Sequence, residues 1–162
     1  MEKLTKLVNQ TLSWLIIAIS ATLLLCVVWQ VVSRYILGTP STVTDEMARF
    51  LFMWVGLLGA AYATGQKRHL AIDLLTMRLR GQRKLLSELV VLLAMGGFAA
   101  LVMVYGGMNL VNKTLSTGQI SPSLGLPMGY VYLCLPVSGL TIVFYCVSDG
   151  LSKVGQLMMA KA

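Results

Sequence analysis

The chain has 162 residues, 57% of them hydrophobic and 12% charged, with a formal net charge of +7 and a mean hydropathy of +0.78. It is more apolar than a water-soluble domain of this length can hide, which places it in a bilayer and leaves little chain for any soluble domain. The excess of base has no soluble surface to rest on, which argues against a nucleic-acid partner.

Crossing the hydrocarbon layer takes roughly 20 apolar residues per helix, because each residue rises about 1.5 Å and backbone polar groups must be satisfied within the segment. Four stretches meet or nearly meet that demand, so the expected fold is an all-α integral membrane protein with four transmembrane helices. Their approximate bounds are 12–33, 47–66, 88–111 and 127–148, in one membrane domain over 1–162. The first carries no charge from Leu12 to Val32 and follows Lys3 and Lys6. A secretory signal has that layout, but its apolar region is shorter and its small residues come after it. Here Ala18, Ser20 and Ala21 sit inside the run, and the helix is expected to be retained.

The second stretch begins at DEMARFLFMW, residues 45–54. Pro40, Ser41 and Thr42 read as a turn and a helix start, with Thr42 as the cap and the acids favourably placed in the first turn. Arg49 follows Glu46 by three residues, a spacing that predicts a same-face ion pair at the membrane boundary, where the guanidinium can snorkel. Met53, Gly56, Ala60 and Ala63 continue that face inward. Small residues at such spacing let another helix approach closely, which in lipid is a main source of association energy.

The middle connection, 67–86, contains HLAIDLLTMRLRGQRKLL. Leu70, Leu74 and Met77 recur at helical spacing, and Arg78, Arg80, Arg83 and Lys84 cluster behind them. A short amphipathic helix along the interface, with aliphatic groups among acyl chains and bases toward anionic lipid, is the expectation. A solvated basic loop is the plainer alternative. The third stretch holds the doublets Gly96–Gly97 and Gly106–Gly107, expected to bend or tightly pack the helix, and Pro136 is expected to kink the fourth. Cys26, Cys134 and Cys146 lie inside apolar stretches without paired spacing and read as small core residues.

Basic residues in short loops stay on the cytoplasmic side. Lys3, Lys6, Lys67, Arg68, Arg78, Arg80, Arg83, Lys84, Lys153 and Lys161 fall on one side of the four spans, and Arg34, Arg49 and Lys113 on the other, so both termini and the middle connection are expected to be cytoplasmic. His69 is the single histidine, and one histidine cannot supply two axial ligands to haem iron across a bundle. No cofactor, metal or catalytic residue is expected. His69 and Asp73 stand one turn apart but have no convergent nucleophile, and Asp73 is expected to orient His69 or pair with a nearby arginine.

The run SRYILGTPSTVTDEMARFLFMWVGLLGAAYATGQKRHLAIDLL resembles the signature of the small transmembrane (Q-type, DctQ-like) subunit of tripartite ATP-independent periplasmic transporters. Arg34 and Tyr35 end the first span, Glu46, Arg49 and Trp54 open the second, Gly59, Ala60 and Ala61 lie in its middle, and His69 and Asp73 follow it. SPSLGLPMGYVYLCLPVSG, Ser121 to Gly139, is similar to the family's approach to its last helix, with Pro122, Leu124, Pro127 and Pro136 in place. The resemblance runs from residue 33 to 140.

The resemblance implies a bacterial inner-membrane subunit of a sodium-gradient-driven importer of organic acids. A large multi-span permease subunit would carry substrate by an elevator movement, and a periplasmic substrate-binding protein would deliver it. The small subunit would brace the large one without holding substrate. Arg34, Glu46, Arg49, Trp54, Gly56, Ala60, His69, Asp73, Pro127 and Pro136 are then expected as partner-interface or structural positions, with membrane lipids as further partners. The residues themselves agree that no ionised group sits centrally in any span to grip an anion. A self-assembling small channel or exporter is the alternative, and would need a polar path of which scattered Ser, Thr, Gln30 and Asn109 give little sign. A membrane enzyme or electron-carrying anchor is the third class.

Overall fold

The structure, a computed structural model, describes residues 2–66 and 82–159. These residues form helices and turns, with one isolated bridge between Ile120 and Pro127. Helix α1 is Glu2–Tyr35 and α2 is Thr42–Gly65. The third span runs through α3, Gln82–Phe98, a π-helical segment, Ala99–Gly106, and α4, Gly107–Ser116. A loop leads to the short α5, Met128–Tyr132, and then to α6, Cys134–Met159.

Four of these stretches are long and apolar enough to cross a membrane: Leu4–Tyr35, Thr42–Gly65, Ser87–Ser116 and Met128–Leu151. They coincide with the four expected spans, but the helices overrun the expected bounds. Helix α1 has 34 residues, about 51 Å at 1.5 Å per residue, against a hydrocarbon core of about 30 Å. The bounds 12–33 and 88–111 followed apolarity, whereas helix continues wherever backbone hydrogen bonds do, and residues 82–86 form the start of α3. The expected amphipathic helix with Leu70, Leu74 and Met77 falls on residues 67–81, outside the described residues.

Helix α1 packs on α2, α2 on α6, and α6 on the third span, so the four spans stand side by side with α6 in the interior of the row. The spacing on α1 explains its seat. Leu12, Ile16, Ile19, Leu23, Cys26, Gln30 and Ser33 are among its buried or half-buried positions, alternating steps of four and three. That 3.5-residue repeat is a coiled-coil seam, and the opposite face, with Trp14, Leu25 and Val28, is exposed. The core proper lies around α6: Ala61 of α2, Ala99 and Met103 of the π-helical segment, and Ile142 and Cys146 of α6, flanked by Leu57, Leu92, Met95 and Val143. All three cysteines are free and buried.

The expected break at Pro136 is present. Proline has no N–H to give the carbonyl four residues back and its ring crowds that carbonyl, so the helix is interrupted at Leu133, between α5 and α6. The third span presses into this irregularity. A Cβ on Gly107 would stand 3.0 Å from Pro136 Cδ and 3.2 Å from its nitrogen, and one on Gly139 would meet Met103 Cβ at 2.7 Å. Of the two doublets, Gly107 therefore serves tight packing, while Gly97 opens onto free space.

Candidate functional site

The charged start of α2 holds the loop before the last span. Ser41 occupies the cap position, and Thr42, the expected cap, is the first helical residue. The Thr44 hydroxyl donates to the Ser41 carbonyl at 3.2 Å and the Asp45 amide to the same oxygen at 3.3 Å, so the first turn closes on Ser41 through its backbone. Arg49 pairs with Asp45 at 2.6 Å, one full turn away, not with Glu46 as the three-residue spacing suggested. The physical reason is that Glu46 is engaged elsewhere. Its Oε2 accepts from the backbone amides of Ser123 at 2.8 Å and Leu124 at 3.1 Å.

That loop is built to present those amides. The Ser121 amide donates to the Leu126 carbonyl at 2.9 Å, the Gly125 amide returns to the Ser121 carbonyl at 3.0 Å, and the Leu124 amide also reaches Ser121 Oγ at 3.2 Å. Gly125 has φ of 65°, the left-handed conformation that closes such a turn and favours glycine. Two successive N–H groups then converge on one carboxylate oxygen, an arrangement that favours negative charge. Pro127, extended at φ −62° and ψ 121°, ends the loop at the cap position of α5, and the Met128 amide donates to the Gln119 carbonyl at 2.9 Å. The clasp joins segments 77 residues apart.

The α1–α2 connection is bound at the same end. Gln30 Nε2 donates to the Thr44 carbonyl at 2.8 Å, and the Ser33 hydroxyl, buried, donates to the Thr39 carbonyl. Arg34 lines a cavity of about 480 Å³ with Gln30, Tyr35, Pro40, Ser41 and Asp45. Trp54 is half-buried. Gly56, Ala60 and Ala63 turn outward, and nothing lies within 4 Å of where a Gly56 Cβ would be. Within the chain α2 buries Ala48, Leu58, Ala61 and Thr64 instead. His69 and Asp73 lie outside the described residues. The structure thus brings Glu46 to Ser121–Pro127, puts Arg34 and Asp45 on one cavity, and leaves the small-residue face open.

Two contacts at the opposite end have no counterpart in the sequence reading. Tyr145, buried on α6, donates its hydroxyl to Asn9 Oδ1 of α1 across 136 residues, and a Cβ on Gly65 would strike both side chains, at 2.5 Å and 2.7 Å. The Asn9–Tyr145 bond ties α1 to α6. Lys153 Nζ bonds to Glu88 Oε2 at 2.7 Å, tying α6 to α3. A single asparagine near the end of an apolar helix, and opposite charges at the ends of two adjacent spans, are the signals that would have found them. Among the described residues no three of His, Cys, Asp and Glu come together to hold a metal ion. Chemically, the arrangement fastens segments to one another.

Comparison with known proteins gives this architecture a family. The family model described as "Tripartite ATP-independent periplasmic transporters, DctQ component" matches residues 23–154. The chain is 28% identical over 148 residues to the sialic acid TRAP transporter small permease protein SiaQ of Vibrio cholerae, covering 89% of this chain and 82% of that one. It is 32% identical over 117 residues to the C4-dicarboxylate TRAP transporter small permease protein DctQ of Rhodobacter capsulatus, covering 70% of this chain and 50% of that one. It is also 34% identical over 95 residues to the isethionate TRAP transporter permease protein DctMQ of Oleidesulfovibrio alaskensis, covering 59% of this chain but 15% of that much longer polypeptide. With a match over most of its length and four helices fit to cross a bilayer, the chain belongs to the DctQ component of tripartite ATP-independent periplasmic transporters, a multi-pass inner-membrane transport subunit and not an enzyme.

Proposed function

We propose that this chain braces the large permease subunit of a sodium-gradient-driven importer of organic acids and does not itself hold the solute. The observation that carries the reading is the distribution of charge. Residues 7–33, 50–66, 89–112 and 128–148 contain no Asp, Glu, Lys or Arg, so a carboxylate at mid-membrane would find no cationic partner on any of the four spans. Relatives named for sialic acid, C4-dicarboxylate and isethionate support an organic acid as cargo.

The docking face that fits a large subunit best is the outward side of α2. Gly56, Ala60 and Ala63 offer close backbone approach, and Arg49 and Trp54 stand at its head. The clasp of Glu46 on residues 121–127 and the break before Pro136 keep that end of α2 fixed relative to α6. In the membrane this end faces the periplasm, where Arg34 and the loop at 121–127 meet the substrate-binding protein, and both termini are cytoplasmic, as the distribution of Lys and Arg supports. His69 and Asp73 then lie on the cytoplasmic side with their basic segment against anionic lipid.

The test is co-expression with the large subunit and reconstitution. A tagged chain should bring down the large subunit in mild detergent, and Gly56→Leu with Ala60→Leu should abolish that recovery. Vesicles holding the chain alone should show no sodium-dependent accumulation of labelled sialic acid or dicarboxylate. Accumulation without another polypeptide would overturn the bracing role in favour of a self-assembling carrier.

A further inference from the structure

Helices α3 and α6 leave a groove of about 760 Å³ between them, walled by Leu89, Leu93, Val147 and Leu151 and floored by Gly97 and Gly150. Its lining is almost wholly apolar and its rims are exposed, Leu93 to 74% and Leu151 to 57%. From residue 89 to 97 it runs for about 12 Å along α3.

One end of the groove is charged. Glu88 precedes Leu89 on one wall and Lys153 follows Leu151 on the other, so the Glu88–Lys153 pair stands across the mouth. The two side chains are 20% and 24% exposed, buried enough to be fixed and open enough to take another partner. A fixed carboxylate beside a fixed ammonium at the head of an apolar slot is the complement of a zwitterion that carries its own ammonium and phosphate on an acyl tail.

We propose that this groove binds one phospholipid with an ethanolamine headgroup, an acyl chain in the slot, the phosphate on Lys153 and the lipid ammonium on Glu88. The ammonium is what selects. Its N–H groups donate to Glu88, whereas a choline headgroup has no N–H to give and a glycerol headgroup has no cation. This site is independent of the docking face on α2.

The test is native mass spectrometry of the full chain purified in mild detergent, delipidated and titrated with phosphatidylethanolamine, phosphatidylcholine or phosphatidylglycerol. The wild-type chain should retain phosphatidylethanolamine in preference to the other two. Gly97→Leu with Gly150→Leu fills the slot, and nothing lies within 4 Å of either Cβ position. Displacing even two methylenes should lower retention about tenfold. Glu88→Gln should erase the preference for ethanolamine over glycerol headgroups while leaving a lipid bound. Equal retention of all three lipids by the wild-type chain, or undiminished retention by the filled variant, would overturn the site. So would a filled variant that keeps its lipid but no longer recovers the large subunit, since the occupant would then be a protein helix.

Discussion

Gly139 gives the sharpest test of the packing that fixes the last span. A methyl group there would lie 2.7 Å from Met103 Cβ, 3.0 Å from Val104 Cγ2 and 3.2 Å from the Val104 backbone nitrogen, and of these the Cβ and the nitrogen cannot swing aside. Overpacking of this kind costs about 1–3 kcal/mol. Against it stands the helix propensity gained by replacing glycine with alanine, at most about 1 kcal/mol. Gly139→Ala should therefore be destabilising by roughly 0–2 kcal/mol. Gly97→Ala gains the same propensity with nothing within 4 Å, and should be stabilising by about 0.5–1 kcal/mol. The two variants make the same chemical change and should move in opposite directions, which removes any common effect of the detergent. Unfolding of the purified chain in micelles, followed by helical circular dichroism, measures both. If the midpoints shift the same way by the same amount, the close approach of the π-helical segment to α6 is not a determinant of stability and the argument fails.

Other outcomes follow from the same contacts. Glu46→Ala should raise hydrogen exchange at the Ser123 and Leu124 amides and lower recovery of the large subunit, with Glu46→Gln intermediate because it keeps an acceptor oxygen; unchanged protection in Glu46→Ala would mean the clasp is not made. Arg49→Ala should alter the stability of the isolated chain by no more than about 0.5 kcal/mol, since its pair with Asp45 is solvent-exposed, yet reduce assembly with the large subunit. A loss in the isolated chain as large as that of Gly139→Ala would make the pair structural. Tyr145→Phe should cost about 0.6 kcal/mol and at most about 1.7 in the same unfolding assay, the range for interhelical hydrogen bonds in membranes, and Asn9→Ala should cost no further stability in the Phe background.

What the sequence disclosed was whatever depends on one element at a time. Four apolar stretches located four spans, and Pro136 marked the break in the last, because hydropathy and a missing N–H act locally. Partners across the chain were not legible in the same way. Glu46 and Arg49 at a three-residue spacing read as a pair, but the choice between Glu46 and Asp45 was settled by a loop 77 residues away whose amides compete for the carboxylate. The face of Gly56, Ala60 and Ala63 was readable as a packing face, yet periodicity does not say against what. Within the chain it is Ala48, Leu58, Ala61 and Thr64 that are covered. Asn9 and Tyr145 carry no spacing signal at all, lying in different spans, and Gly65 is legible as their close neighbour only once both are in place.

The 77 residues that separate Glu46 from its amide donors also set an order in time. At about 5–20 residues per second, synthesis delivers Ser123 roughly 4–15 s after Glu46 has left the ribosome. Throughout that interval the first two helices can zip along their heptad seam while the carboxylate remains hydrated. A nascent chain truncated before residue 121 should therefore hold the α1–α2 hairpin and the third span with its acid still facing water, and the arrival of the loop at 121–127 is the event that fastens the start of α2 before α6 is made.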